Sequence, residues 1–339
     1  MAEYQELEQR LRLHLQSQIT AGRIRGARYC VYVKGSFAVK GVLGMAESLT
    51  ELQSVTKLFT AVAVLQLQER GLLRLTDPVA GVLPEFAGEP FSGITILHLL
   101  THTSGLVALP AAFPERDTDW ETGIDRENVA GSWIPAILKK GLFFTPGSRW
   151  EYSKAGFCIL GEIIRRLTGQ RAEDYIWERI LLPCEMKKSG WRAEPGSIWN
   201  TVPQTAAGLF APVEELVQFG VMLAEGGSYK GERILTEASL CALETNQLPE
   251  GMQDFCWDHG GRRIAYGAGC PVYVPGYESW TAAERTIYHE GAGACMLLVN
   301  RKERLAAAWS VPFADRSVWV EEAVKGTAGV IGSYRACIW

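Results

Sequence analysis

The chain has 339 residues and a formal net charge of −4, and its fractions of hydrophobic (47%) and charged (21%) residues are those of an ordinary globular protein. No apolar run is long enough to span a bilayer, and no basic stripe is present that would neutralise the phosphates of a nucleic acid. We therefore expect no membrane segment and no nucleic-acid partner.

The first segment of the chain predicts an amphipathic surface helix, because Leu7, Leu11, Leu15 and Ile19 recur at helical spacing between charged residues. It lacks the basic region followed by an apolar block that marks a signal peptide. The eight cysteines are scattered without a Cys-x-x-Cys pair, which favours free thiols in a reducing compartment. These features together predict a cytoplasmic location.

The remaining elements follow from hydrophobic periodicity and from turn residues. Alternating residues on both sides of Lys34-Gly35 predict a hairpin over 27–44. Helical periods separated by Pro and Gly then predict helices over 54–70, 94–105, 126–139, 153–169 and 211–227. Strands return over Thr286–His289, Ala294–Val299 and Leu305–Trp309, and a last helix runs from Asp315 to about Ile331.

Strands at both ends of the chain with helices between them predict an α+β fold. In this architecture one antiparallel sheet is flanked by helices, and a mostly helical subdomain is inserted in the middle. We expect a single domain over 1–339, with an α/β part from 1–53 and about 209–339 and a helical part over about 54–208. A cleft between the two parts is the natural position for a site.

Ser54 and Lys57 in "SVTK" are the first candidate site residues. At i and i+3 on the first turn of a helix, their side chains lie on one face within mutual reach. A lysine among apolar residues loses hydration, its pKa falls, and the neutral amine can accept the serine proton. The alternative is a capping serine beside a surface lysine, since such a match is expected about once by chance in a chain of this size.

Two further segments carry candidate residues. Tyr152 in "PGSRWEYSKAG" follows a Pro-Gly turn and precedes a helix, so its hydroxyl can project from a loop and relay a proton. In "IYHEGAGACMLLV", His289 ends a strand and Gly291 permits a substrate backbone to approach the strand edge closely. The Ala292 N–H can then serve with that of Ser54 as an oxyanion donor. Taken alone, each segment favours an ordinary structural role, a packing tyrosine in the first and a strand end followed by a Gly-rich turn in the second.

Taken together, these segments resemble the serine β-lactamase and penicillin-binding protein superfamily, in particular the branch of class C β-lactamases and related esterases and D-aminopeptidases. The family's Ser-x-x-Lys stands here as "SVTK", its Tyr-x-Asn as "YSK" and its Lys/His-x-Gly as "HEG". Longer segments also match, including "GLLRLTDPVAGVLPEF" and "ITILHLLTHTSGL". The resemblance implies the β-lactamase/transpeptidase-like fold, with Ser54 as nucleophile and with Lys57 and Tyr152 as general base and acid.

The sequence departs from the family pattern at two positions. Lys154 replaces the usual Asn, and its ammonium either points into the cleft, where it lowers the pKa of Lys57, or extends to solvent or to a carboxylate such as Glu290. Glu290 occupies the middle of "HEG", where a hydroxyl often binds a substrate carboxylate. An anion there would repel such a group.

The sequence therefore predicts a serine hydrolase that acts through an acyl-enzyme on a small ester or amide, with esterase activity favoured. The alternatives are an acyltransferase, a D-amino-acid peptidase or β-lactamase of the same fold, and a catalytically silent ligand-binding member. We expect no cofactor and no metal. His98 and His102 are four residues apart, but nothing suggests a third ligand, and we expect structural roles for both. The oligomeric state stays open.

Overall fold

The computed structural model describes residues 4–110, 116–256 and 260–335. Its strands are β1 Gly26–Val33, β2 Ser36–Gly44, β3 Thr50–Glu51, β4 Gly190–Trp191, β5 Leu209–Ala211, β6 Ser228–Tyr229, β7 Glu232–Arg233, β8 Gln253–Asp254, β9 Arg262–Arg263, β10 Ile287–Gly291, β11 Cys295–Asn300 and β12 Leu305–Ser310. Its α-helices are α1 Gln5–Thr20, α2 Thr56–Glu69, α3 Ile96–Leu100, α4 Val129–Leu138, α5 Lys154–Thr168, α6 Ala172–Ile176, α7 Val213–Ala224, α8 Glu237–Glu244 and α9 Glu321–Arg335.

The central sheet joins the two ends of the chain. It has five antiparallel strands in the order β10-β11-β12-β1-β2, so β1 pairs with β12 across most of the sequence. The β1–β2 hairpin turns at Lys34 and Gly35, both with positive φ, as a two-residue hairpin turn requires. The predicted hairpin and antiparallel sheet are confirmed.

Helices cover both faces of this sheet. Because side chains alternate along a strand, Met296 and Leu298 of β11 pack with α1 and α9, whereas Leu297 and Val299 pack with α7 and the helical part of the chain. Between β3 and β5 the described residues form helices and turns, with β4 as a two-residue strand. The sheet therefore separates a terminal-helix face from a face that meets the helical part. The exact limits of the two parts stay a prediction.

Three features differ from the sequence-based expectation. The helix predicted over 94–105 is shorter, because α3 ends at Leu100. The last helix begins at Glu321 rather than Asp315, because the Asp315 carboxylate accepts hydrogen bonds from the N–H and hydroxyl of Ser317 and closes a turn there. The short helices α6 and α8 were not predicted.

Among the described cysteines all are free thiols, and Cys337 lies outside the described residues. No described helix combines the length and the apolar character that crossing a bilayer requires.

Candidate active site

Ser54 lies at the junction between a short strand and a long buried helix. The Leu52 N–H donates to the Leu209 carbonyl at 2.8 Å, and the following 3-10 turn Gln53–Val55 leads directly into α2. Gln53 has a φ of +45°, in the left-handed region that non-glycine residues rarely adopt. The backbone therefore bends sharply just before Ser54, and the Ser54 N–H lies in a first turn that supplies it with no helical acceptor.

Lys57 lies one turn later, and its side chain is only 2% exposed. Its Nζ is 3.4 Å from Ser54 Oγ and donates to the Ala206 carbonyl at 2.7 Å. Burial lowers the pKa of Lys57 to about 7, because the ammonium loses its hydration. No ion pair joins it to a carboxylate within the described part of the chain. The predicted proximity of Ser54 and Lys57 is present, and the amine lies where it can accept the serine proton.

Tyr152 completes the group around Ser54. It lies on the loop just before α5, as the sequence indicates, but its ring is buried rather than projecting freely. Lys57 Nζ is 4.7 Å from the centre of this ring. Burial raises the pKa of Tyr152, and the nearby Ser54 side chain opposes that rise. The phenol therefore keeps its proton at neutral pH while it contacts both residues.

His289 faces the same site as a neutral side chain. It is 3% exposed, and its Nδ1 lies 2.8 Å from the Glu290 carbonyl oxygen. Since a carbonyl can only accept, Nδ1 carries the proton and Nε2 is an unprotonated acceptor. Nε2 is buried and has no hydrogen-bond partner among the described residues. Burial, together with the nearby charge of Lys57, lowers the pKa of His289 to about 3.

Gly291 and Gly293, which follow His289, pack against the backbone of the segment that leads to Ser54. A Cβ on Gly291 would lie 2.2 Å from the Leu52 carbonyl oxygen, and one on Gly293 would lie 2.0 Å from that of Glu51. The close approach that the sequence assigned to a substrate backbone is thus made by the segment that leads to Ser54. Ala292 lies between the two glycines, and their packing fixes its backbone against that segment. Its side chain is exposed.

The structure corrects the expected direction of Glu290. This residue pairs with Met296 across β10 and β11, and directly paired residues of antiparallel strands point to the same face. Met296 belongs to the terminal-helix face, and the Glu290 carboxylate lies 3.7 Å from Lys325 Nζ on α9. Burial raises the pKa of Glu290, and Lys325 opposes this. The charge therefore lies behind the sheet and does not confront a substrate in the cleft.

Lys154 fits neither sequence-based alternative completely. Its Nζ pairs with the Glu121 carboxylate at 2.9 Å, not with Glu290, and lies 4.1 Å from the centre of the Trp199 ring. Its charge still contributes, after burial, to the lowered pKa of Lys57. Lys154 is thus held by a carboxylate and also acts on the buried amine.

A cavity of about 530 Å³ opens beside this group. Charges of both signs line it, and two aromatic rings give it an apolar wall. Its lining includes Glu51, Gln53, Lys154, Arg192, Glu194, Trp199, Ala206 and Phe210. Opposite charges thus occur in equal number in this lining, beside the apolar wall.

Sequence reasoning missed three contributors to the site. The Ala206 carbonyl holds Lys57, and Glu121 and Trp199 hold Lys154. No sequence signal marks Ala206, because any residue can supply a carbonyl. Glu121 begins a short 3-10 helix 33 residues before its partner, so its position beside Lys154 follows only from the tertiary fold.

Known proteins similar to this chain give a consistent picture. The family model described as Beta-lactamase matches residues 8–315. Penicillin-binding protein 4 of Amycolatopsis lactamdurans is 30% identical over 298 residues, which cover 76% of this chain and 74% of that protein. Esterase EstB of Burkholderia gladioli is 39% identical over 158 residues, which cover 44% of this chain and 40% of EstB.

Solved structures extend the likeness to the whole fold. The crystal structure of a family VIII carboxylesterase superposes with a TM-score of 0.77 at 18% identity and covers 97% of each chain. EstCE1, described as a hydrolase with promiscuous acyltransferase activity, also gives a TM-score of 0.77, at 17% identity, over 98% of this chain and 99% of that one. The extent of the family match and the relative at 30% identity lead to one conclusion: the chain belongs to the β-lactamase family of serine hydrolases.

Proposed function

We propose that the protein is an esterase that hydrolyses small uncharged esters through an acyl-enzyme on Ser54. The observation that carries this proposal is the buried Lys57 amine, 3.4 Å from Ser54 Oγ, whose pKa of about 7 leaves much of it unprotonated at neutral pH. An amine in that state activates an adjacent alcohol as a nucleophile.

The first half of the reaction uses the three side chains in sequence. Neutral Lys57 takes the hydroxyl proton as Ser54 Oγ bonds to the ester carbonyl carbon, and the N–H groups of Ser54 and Ala292 hold the resulting oxyanion. When this tetrahedral intermediate collapses, the bond between the carbonyl carbon and the alcohol oxygen breaks, and that oxygen takes the proton of Tyr152. The Lys57 ammonium then reprotonates the phenolate, so the free alcohol leaves and both side chains return to their starting state.

The second half releases the acyl group. A water attacks the ester that links the acyl group to Ser54, and one of its protons passes to the neutral Lys57 amine, which then returns it to Ser54 Oγ. The bond to Oγ breaks, Ser54 recovers its proton, and a carboxylic acid is released. An alcohol or amine in place of the water would give acyl transfer, so hydrolysis is the outcome expected in water without an added acceptor.

The preference for an uncharged substrate rests on His289. A lysine at this position carries a charge that can pair with a carboxylate, whereas His289 has a pKa of about 3 and offers only the lone pair of Nε2. An acceptor without charge does not bind a carboxylate. The expected weak action on β-lactams thus depends on His289 and not on Glu290, whose charge lies behind the sheet.

Similar proteins support the ester as substrate, since EstB is an esterase and a carboxylesterase shares the fold. A small-molecule substrate and a cytoplasmic location are parts of the same proposal.

The test combines intact-mass analysis with steady-state kinetics on short-chain aryl esters, a penicillin and a cephalosporin. We expect an acyl adduct on Ser54, turnover of the esters at a higher kcat/KM than the β-lactams, and neither adduct nor turnover in Ser54→Ala. Ser148→Ala, which alters an exposed serine, is the matched control and keeps both. An adduct that persists in Ser54→Ala contradicts the assigned nucleophile, and faster β-lactam hydrolysis contradicts the substrate class.

A further inference from the structure

His102 binds the backbone on both sides of Tyr152. It lies two residues after α3, and its own carbonyl accepts the Glu151 N–H at 3.0 Å. Its ring Nδ1 accepts the Ser153 N–H at 3.1 Å. One residue thus holds the neighbour before Tyr152 and the neighbour after it.

The ring of His102 also packs on the ring of Tyr152. The two ring centres are 4.3 Å apart with a tilt of 33°, and Trp150 and Tyr266 meet the imidazole edge-on at 5.7 Å and 5.2 Å. His102 is 1% exposed. The phenol ring therefore rests on a side chain that is itself enclosed by aromatic rings, which restricts its rotation.

The chemical state of His102 suits this contact. Nδ1 accepts an N–H, so it carries no proton, and the ring is neutral with its proton on Nε2. Burial, and after it the charge of Lys57, hold the pKa of His102 well below its usual value. A protonated ring could not accept from Ser153, and burial therefore keeps the ring in its accepting form.

The backbone of His102 is strained as well. Its φ is +59°, a conformation that non-glycine residues adopt at a cost. Nε2 is buried and has no hydrogen-bond partner among the described residues, which adds a second cost. Strain and an unmet polar atom at one residue are typical of functional positions, because a purely structural residue at this position would be free to lose both.

We propose that His102 is a positioning residue that fixes the phenol of Tyr152 against Ser54 and Lys57. The proposal rests on the proposed function, because it assigns His102 an effect through the proton relay of Tyr152. It goes beyond that function in giving the "THTSG" segment a role in the rate of the reaction rather than in packing alone. His102 itself takes no proton in the reaction.

Two substitutions separate the contacts of His102. His102→Phe keeps an aromatic ring but removes the acceptor for Ser153. His102→Asn keeps an acceptor oxygen near the position of Nδ1, tolerates the positive φ and removes the ring. We expect kcat on an aryl ester to fall about 10- to 100-fold in His102→Phe and less in His102→Asn, since small displacements of a reacting group have effects of this size.

His98 supplies the matched control. Its Nδ1 accepts the Thr95 N–H at 3.2 Å, which is the same type of bond but lies at the start of α3 rather than beside Tyr152. His98→Phe therefore tests the loss of such a bond without an effect on the relay. We expect it to keep kcat within about threefold, which is the result for a change that affects stability alone.

A double-mutant cycle with Tyr152→Phe decides the proposal. If His102 acts through Tyr152, then His102→Phe or His102→Asn lowers kcat in the wild type but not in the Tyr152→Phe background. Equal loss in both backgrounds, or unchanged kcat in the wild-type background, overturns the proposal. The use of His102→Asn keeps the test decisive if His102→Phe does not fold. Full activity of Tyr152→Phe alone is a different outcome, because it refutes the role of Tyr152 in the proposed function as well.

Discussion

The two faces of the central sheet each bury a lysine within the described residues, and the two sites differ in what surrounds the ammonium. Lys325, on α9, lies 3.7 Å from Glu290 and 3.8 Å from Glu321. Lys57, on α2, lies beside the Ser54 hydroxyl and the Ala206 carbonyl, without an ion pair to a described carboxylate. The same side chain is thus placed in an ion-pair network on one face and in a polar setting without a paired carboxylate on the other.

The carboxylates around a buried lysine decide whether its amine can act as a base near neutral pH. Carboxylates near an ammonium stabilise its charge, and a lysine so placed contributes to packing and stability. A lysine enclosed without them is destabilised when protonated, and for Lys57 burial lowers the pKa to about 7. Burial of Lys57 without a carboxylate lowers the stability of the folded protein but makes its amine available as a base. Substitutions at Lys57 and Lys325 are therefore expected to have opposite consequences.

Lys57→Met gives the largest expected effect. We predict a fall in kcat/KM of about 10³-fold, since the general base is lost, together with unchanged or increased stability, because a buried charge is replaced by an apolar side chain of similar volume. Kinetics on an aryl ester and chemical unfolding measure the two quantities. Loss of activity together with a large loss of stability would indicate that Lys57 is structural.

The stability difference between this variant and the wild type also depends on pH. The pKa of Lys57 is about 7 in the folded protein and 10.5 in an unfolded chain. Between these values the folded protein binds fewer protons, so wild-type stability rises with pH by up to about 1.4 kcal/mol per unit. We predict that any advantage of Lys57→Met is greatest below pH 7 and shrinks towards pH 10. A difference that does not change with pH would contradict the lowered pKa.

Lys325→Met tests the other face. It leaves the partly buried Glu290 without its cation, and we predict a loss of about 2 kcal/mol in the free energy of unfolding. The kcat/KM of the folded protein should change by no more than about threefold, because Glu290 lies on the face away from Ser54. A fall in activity as large as that of Lys57→Met would refute the separation of the two faces.

His289→Lys replaces a neutral side chain by a cation in the site around Ser54. We predict that kcat/KM for an ester with a carboxylate in its acyl group rises about tenfold relative to the neutral ester, because the new ammonium can pair with that carboxylate. His289→Gln is the control, since it remains neutral and leaves the ratio unchanged. An unchanged ratio in the lysine variant would remove His289 from substrate selection.

Lys154→Asn has the smallest expected effect. Removal of its charge raises the pKa of Lys57, so the acidic limb of the kcat/KM profile moves to higher pH, by a few tenths of a unit since its charge is already paired with Glu121. Glu121→Gln leaves Lys154 unpaired and should move the limb in the opposite direction. If the acidic limb of the kcat/KM profile lies at the same pH in the wild type, Lys154→Asn and Glu121→Gln, then Lys154 does not act on Lys57.

The sequence was sufficient for the part of the site that depends on local spacing. Ser54 and Lys57 are three residues apart on one helix, and their contact follows from that geometry. The direction of Glu290 was also available, since neighbours on a strand point to opposite faces and His289 was expected to face the cleft. The mistake was to carry over a motif position without applying this alternation.

Other features depend on tertiary contacts that no local pattern reveals. The Ala206 carbonyl reaches Lys57 from 149 residues away, and the role is independent of its side chain. His102 was expected to be structural because the sequence suggests no third metal ligand to accompany its four-residue spacing from His98. Its contacts with Glu151 and Ser153 appear only when the two segments are brought together.

The central claim is that burial lowers the pKa of Lys57 to about 7, so that a substantial fraction of the amine is unprotonated at neutral pH. Titration of Lys57 itself tests this claim most directly. Protein labelled with ¹³C at the lysine Cε positions would be followed by NMR between pH 5.5 and 11, with the Lys57 signal assigned by its absence from Lys57→Met. We predict a midpoint near pH 7, with the same midpoint in the acidic limb of ester hydrolysis. A Lys57 midpoint near the ordinary lysine value of about 10.4 would contradict the account.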